Sequence, residues 1–159
     1  MNLKIIAVGK IREKYLSRGI EEYLKRLRPY ARIEIIEVAD EKIPDRASPA
    51  EEEVIKTKEG ERVLKKLEPD SFLVVLAVEG KLLSSEELAG RLEKLAVEGQ
   101  GKVTFIIGGT LGLAEDIKSR ADLLLSFSTL TFPHQVMRFI LLEQLYRAFK
   151  IIRGEPYHK

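Results

Sequence analysis

The feature that most constrains how this chain can fold is a regular exchange between two hydrophobic periods. Short apolar runs at residues 3–8, 33–38, 72–78, 103–107 and 123–127 are long enough for strands and too short for buried helices. Between them the apolar residues recur at helical spacing, as in Tyr15, Ile20, Tyr23, Leu24 and Leu27. Strand and helix patterns therefore alternate from end to end. That alternation predicts an α/β fold with a mainly parallel sheet flanked by helices. No internal repeat, low-complexity tract or linker interrupts it, so residues 1–159 read as a single domain.

Local signals set the boundaries. Ser48-Pro49-Ala50-Glu51 combines a capping hydroxyl, a proline at the first helical position and a capping-box glutamate. The helix it opens carries Glu51, Glu52 and Glu53 at its positive end and Lys65 and Lys66 at the other, the gradient of a solvated helix. Gly60 lies inside it with no reason visible in the sequence. Gly80-Lys81 reads as a turn, and Ser84-Ser85-Glu86-Glu87 as a second capping box. A short helix is expected at 114–119 and a long one at 133–152, stopped by Gly154.

Composition narrows the function classes. The absence of cysteine removes disulfides, thiolate metal sites and thiol nucleophiles, and fits a reducing cytoplasm. Two histidines, His134 and His158, are too few for a typical zinc site, so no metal is expected. No apolar run approaches the ~18 residues of a membrane span. Lys and Arg number 27 against 25 Asp and Glu, so any nucleic-acid surface must come from local patches rather than the +2 total.

The last helix bears two apolar stripes. Met137, Leu141, Leu145, Ala148 and Ile152 form one; Phe139, Leu142, Tyr146 and Phe149 form the other. A surface helix needs one stripe. The second faces more of the same chain or another copy, and the size of the domain favours a homodimer.

In open α/β sheets ligands gather beyond the carboxyl ends of the strands. The loop Gly108-Gly109-Thr110-Leu111-Gly112-Leu113 occupies such a place, yet fits neither the Walker A pattern nor the dinucleotide fingerprint. It is either a tight turn or a loop whose backbone approaches a ligand. Phe127 to His134 joins a strand to the last helix without one Asp, Glu, Lys or Arg. It suits contact with a neighbour or a flat uncharged ring, or else simple helix capping by Thr131. His134 suits a base or a packed donor. Tyr157-His158-Lys159 is either a frayed tail or a surface for stacking on a nucleobase. Arg138, Arg147, Lys150 and Arg153 offer a phosphate footprint, although Glu143 and Arg147 also make an i,i+4 pair.

Beyond this the sequence resembles a known family. Phe105-Ile106-Ile107-Gly108-Gly109 with Gly112-Leu113, the stretch Leu130 to Arg138, and Glu143 to Ala148 continuing to Gly154-Glu155-Pro156-Tyr157-His158 resemble the ribosomal RNA large-subunit methyltransferase H family of SPOUT methyltransferases. Ile5 to Lys10 and Gly80 to Glu87 match as well, so the resemblance covers essentially the whole chain. It implies a C-terminal trefoil knot and a homodimer. It also implies transfer of a methyl group from S-adenosylmethionine to N3 of a pseudouridine in helix 69 of 23S rRNA, within the assembled ribosome. By position, the cofactor contacts implied are Leu76, Gly108, Phe127, Ser128, Thr129, Leu130, Thr131 and Phe132. Tyr157 and His158 are implied to face the target base from the dimer partner, and Arg138 to contact RNA. His158 is the first candidate to accept the N3 proton, with Tyr157 or water as alternatives. The chain departs from many relatives at Ala77, where an acid is common, and at Thr110, where proline is common. A SPOUT enzyme for another RNA site, or a non-catalytic ribosome-binding protein of this fold, are the rival readings.

Overall fold

The computed structural model describes residues 1–159. Its strands are β1 (Asn2–Val8), β2 (Arg32–Val38), β3 (Phe72–Leu82), β4 (Lys102–Ile107) and β5 (Leu123–Ser126). The helices between and after them are α1 (Lys14–Leu27), α2 (Pro49–Leu64), α3 (Ser85–Val97), α4 (Glu115–Lys118) and α5 (His134–Ile152). The strands form one sheet in the order β2-β1-β4-β3-β5, and every pairing is parallel.

Strand chemistry sorts with position. β1 and β4 lie inside the sheet and are apolar on both faces, whereas the edge strand β2 exposes Arg32, Glu34 and Glu37. The two-residue period divides the core. Leu3, Ile5, Ala7, Val103, Phe105 and Ile107 point to one face, with α1, α3 and α5; Ile6, Val8 and Ile106 point to the other, with α2 and α4. The larger cluster carries 20 buried residues and the smaller 9, so most of the burial lies under α5 and its neighbours.

Both predicted helix starts are present. Ser48 accepts from the Glu51 N–H at 3.1 Å, and Ser84 and Glu87 close a full capping box at 3.1 and 2.6 Å. Pro133, not Thr131, caps α5 and gives no side-chain bond.

One expectation is corrected, and one open alternative is decided. β3 does not end at Val78. After Leu76 the chain bulges outward and rejoins β5 at Lys81 and Leu82, so Leu125 pairs with both Leu76 and Lys81. Gly80 is thus part of a strand and not a turn. A Cβ there would lie 2.7 Å from the Leu125 carbonyl carbon, which is why only glycine fits. The second stripe of α5 is also met within the chain. Phe139 packs over Gly19 and against Tyr23 at 5.5 Å, Tyr146 against Tyr23 and Tyr30, and Phe149 against Tyr30. The two stripes therefore do not by themselves require a second copy.

Candidate functional site

A cavity of about 650 Å³ opens beyond the carboxyl ends of β3, β4 and β5. That is within the range of small-molecule sites. Three pieces of backbone enclose it: the bulge Ala77–Glu79, the loop 108–113, and the segment 126–134 that leads into α5.

The glycine loop forms the tight turn that its sequence allows. The Gly112 N–H donates to the Gly109 carbonyl at 3.0 Å, closing a tight turn, and the turn lines the cavity. A Cβ on Gly108 would meet the Gly112 carbonyl carbon and Leu113 at 2.9 Å. Beneath this loop sits Glu59 of α2, buried, with its carboxylate 3.3 Å from the place of a Cβ on Gly109. Burial raises its pKa, against the opposing hydrogen bond from the Glu41 N–H at 3.0 Å.

The segment after β5 is held by its own hydroxyls. Ser126 donates to the Ser128 carbonyl at 2.9 Å, and Ser128 accepts from the Leu130 N–H at 2.9 Å. Its apolar residues Phe127, Leu130 and Phe132 line the cavity, and Leu130 is 69% exposed. His134 follows at the start of α5 and also lines the cavity. Burial lowers its pKa, with Asp40 opposing, so the ring is held in its neutral form. The charged residues of the lining are Lys56, Glu79 and Lys118, all on the wall made by α2, the bulge and α4. Lys118 binds Glu79 at 2.5 Å and so holds the Glu79 carboxyl below its ordinary pKa.

Seven of the eight cofactor residues implied by the resemblance line this cavity: Leu76, Gly108, Phe127, Ser128, Leu130, Thr131 and Phe132. Thr129 is exposed and is not part of the lining. Arg138, Tyr157 and His158 do not line it either. Arg138 is 3% exposed, bound to Glu37 at 2.6 Å and to the Gly9 carbonyl at 3.0 Å. The tail is not frayed. Tyr157 donates to Glu143 at 3.1 Å, lies 3.2 Å from the Tyr23 hydroxyl and packs edge-on against Tyr146. Burial and these two polar partners push its pKa up. His158 places Nε2 2.7 Å from Glu86 and Nδ1 3.2 Å from Arg147, which a neutral ring satisfies with its proton on Nε2.

The cations of α5 are largely consumed within the fold. Arg147 pairs with Glu143 at 2.6 Å and Lys150 with Glu155 at 2.6 Å, and Arg153 lies over the Tyr30 ring. Among the exposed cations without an ion pair, Lys10, Arg12, Lys14 and Arg18 fall close together, between the end of β1 and the first turns of α1. Their segment is tied to the start of α5, because the Arg12 N–H donates to Gln135 at 3.1 Å. One signal for it was present in the sequence: α1 has no acid in its first turn, while α2, α3 and α4 each have two.

A family model described as "Predicted SPOUT methyltransferase" matches residues 1–158. Proteins named ribosomal RNA large subunit methyltransferase H are similar over the full chain. The one from Moorella thermoacetica is 62% identical over 100% of this chain and 99% of its own. Those from Carboxydothermus hydrogenoformans and Bacillus pumilus are 60% and 58% identical over the whole of both chains. Among solved structures, a probable methylase family protein from Haemophilus influenzae superimposes with a TM-score of 0.52 at 13% identity. It covers 99% of this chain and 70% of the other, and is a likeness of fold.

Proposed function

The chain belongs to the ribosomal RNA large subunit methyltransferase H family of SPOUT methyltransferases, and on that premise we propose that it methylates N3 of a pseudouridine in helix 69 of 23S rRNA, using S-adenosylmethionine. The observation that carries this reading is the cavity itself. Its volume suits an adenosine-sized ligand, and the wall formed by residues 126–133 is uncharged, as a flat neutral base requires. The reading includes a C-terminal trefoil knot, a cytoplasmic setting and no resident metal.

S-adenosylmethionine supplies a methyl group already activated on sulfonium. The protein's work is then to bind, to orient and to remove one proton. Leu76, Gly108 and the segment Phe127 to Phe132 hold the adenosine. The neutral His134 ring and Met137 close the cavity on the side of α5. His158, once its Nδ1 gives up the contact with Arg147, accepts the N3 proton there as the target base is methylated, and Tyr157 orients that base. Arg138, buried behind the site, has a positioning role: it fixes the Gly9 loop against the start of α5.

The separation of the tail from the cavity supports a homodimer. His158 and Tyr157 lie against α1, α3 and the second half of α5, while the cavity meets the first turn of α5. A tail from a second copy brings base and cofactor together. The unpaired Lys10, Arg12, Lys14 and Arg18 supply phosphate contacts beside the entrance. The substrate of this reading is the assembled ribosome, whose preformed surface suits a domain of this size.

The test is methyl transfer from labelled S-adenosylmethionine to ribosomes that lack the modification, with modified ribosomes as control. Label on one pseudouridine of helix 69, in the unmodified sample alone, is the expected result. Label elsewhere assigns another RNA site, and binding without label makes the chain a ribosome-binding protein.

A further inference from the structure

The charge of the cavity is one-sided, and we infer that Glu79 and Lys118 read the zwitterionic amino-acid end of the bound cofactor. This rests on the proposed use of S-adenosylmethionine. The wall formed by residues 126–133 has no charged side chain. The opposite wall carries Lys118 and Glu79, with Lys56 beside them. The ligand has the same asymmetry. Its adenine is neutral, while its amino-acid end presents one carboxylate and one ammonium.

The pair is built to meet such an end. The Lys118 and Lys56 side chains are 21% and 20% exposed and both line the cavity, Lys118 paired with Glu79 and Lys56 with Glu53 at 2.5 Å. Lys118 lies 2.5 Å from Glu79, and its other acidic neighbour, Glu115, is more distant at 3.8 Å. Glu79 is 55% exposed, so the pair keeps contact with water and contributes little to folding. It is therefore free to open at small cost. Glu79 then accepts from the ligand ammonium, and Lys118 donates to the ligand carboxylate.

The bulge in β3 is what brings Glu79 to the rim, because the residues between Leu76 and Lys81 leave the ladder there. The orientation of the ligand follows. Adenine lies against Phe127 to Phe132, and the amino-acid end points toward α4.

The experiment is calorimetric binding of S-adenosylhomocysteine and of 5′-methylthioadenosine, which lacks the amino-acid end, to the full-length protein. The wild type is expected to prefer S-adenosylhomocysteine. Lys118→Met and Glu79→Gln are each expected to weaken that ligand by about tenfold, the scale of one charge-assisted contact, and to leave 5′-methylthioadenosine unchanged. Retained binding of 5′-methylthioadenosine also shows that each variant folds with its cavity intact. Equal weakening of both ligands, or no change in either, overturns the inference. If the wild type binds neither ligand, the use of S-adenosylmethionine falls first and the inference falls with it.

Discussion

Arg138 on α5 donates from Nη1 to Glu37 at 2.6 Å and from Nη2 to the Gly9 carbonyl at 3.0 Å, tying the helix to the carboxyl ends of β1 and β2. The Arg138 side chain is 4% exposed and that of Glu37 39%, so only one partner has been taken out of water. Its Nε finds no acceptor. The Ile11 N–H donates to the same Glu37 oxygen at 3.2 Å, so the loop after β1 hangs on this node as well.

Removing the guanidinium leaves the Gly9 carbonyl without a donor and Glu37 without its closest cation. Arg138→Met is expected to cost about 2–4 kcal/mol, near the lower end for a broken buried pair because Glu37 keeps contact with water. Arg138→Lys reaches one acceptor and not both, and falls between. Urea unfolding with unchanged m-values reads this directly. A loss under about 0.5 kcal/mol, the level of an ordinary surface change, would show that Arg138 is not a structural clamp.

Two glycines are expected to respond in opposite ways. At Gly60, inside α2, a Cβ would find Ile117 at 3.4 Å and Ala114 at 3.8 Å, which is ordinary contact. Gly60→Ala therefore stabilises the fold by about 0.5–1 kcal/mol through helix propensity and a less free unfolded chain. At Gly80 the same atom would meet the backbone of Leu124 and Leu125 at 2.7–2.8 Å, which cannot yield. Gly80→Ala costs about 1–3 kcal/mol of strain and displaces the bulge. Melting temperatures that move the same way for both variants contradict this account.

The alternation of strand and helix was legible because each strand's period appears in its own residues. Leu3, Ile5 and Ala7 against Ile6 and Val8 is one example. What was not legible depended on residues distant in sequence. The bulge after Leu76 is stabilised by β5, about 50 residues on. The partners of Phe139 and Tyr146 are Gly19, Tyr23 and Tyr30, and no pattern within the helix names them. Within the site, the uncharged segment Phe127 to Phe132 was visible from composition. Glu59, Lys56 and Lys118 were not, because on their own helices they read as parts of solvated faces.

Glu59 makes stability depend on pH in a defined direction. Burial raises its pKa in the folded state, so its charged form destabilises the fold. Below the unfolded value of about 4.3 both states are protonated and there is no penalty. As pH rises above that value the unfolded chain ionises first, and stability falls until the folded carboxyl has also lost its proton. Glu59→Gln keeps an oxygen for the Glu41 N–H and removes the charge. Its melting temperature is expected to exceed that of the wild type at pH 7–8, with the difference closing toward pH 4. A difference that is constant across this range, or that grows in acid, rules out titration of Glu59 as the cause.

The tail separates binding from transfer. Tyr157 and His158 are fastened to Glu143, Tyr23, Glu86 and Arg147, and none of these residues lines the cavity. Deleting residues 157–159 is therefore expected to leave S-adenosylhomocysteine affinity within about twofold of the wild type, well under the tenfold that 1.4 kcal/mol represents. Methyl transfer to ribosomes is expected to be abolished. His158→Ala alone tests the proton acceptor: at saturating ribosomes its single-turnover rate should fall about 10²–10⁴-fold, the usual worth of a positioned general base, while Tyr157→Phe keeps more of the rate. Mixing the truncated chain with a full-length chain whose own cavity is distorted by Gly108→Ala, where a Cβ meets the Gly112 backbone at 2.9 Å, offers the decisive arrangement. If the tail of one copy serves the cavity of the other, the mixture regains activity that neither variant has alone. If it stays inactive while mixed dimers form, each tail works on its own chain and must leave Glu86 and Arg147 to do so.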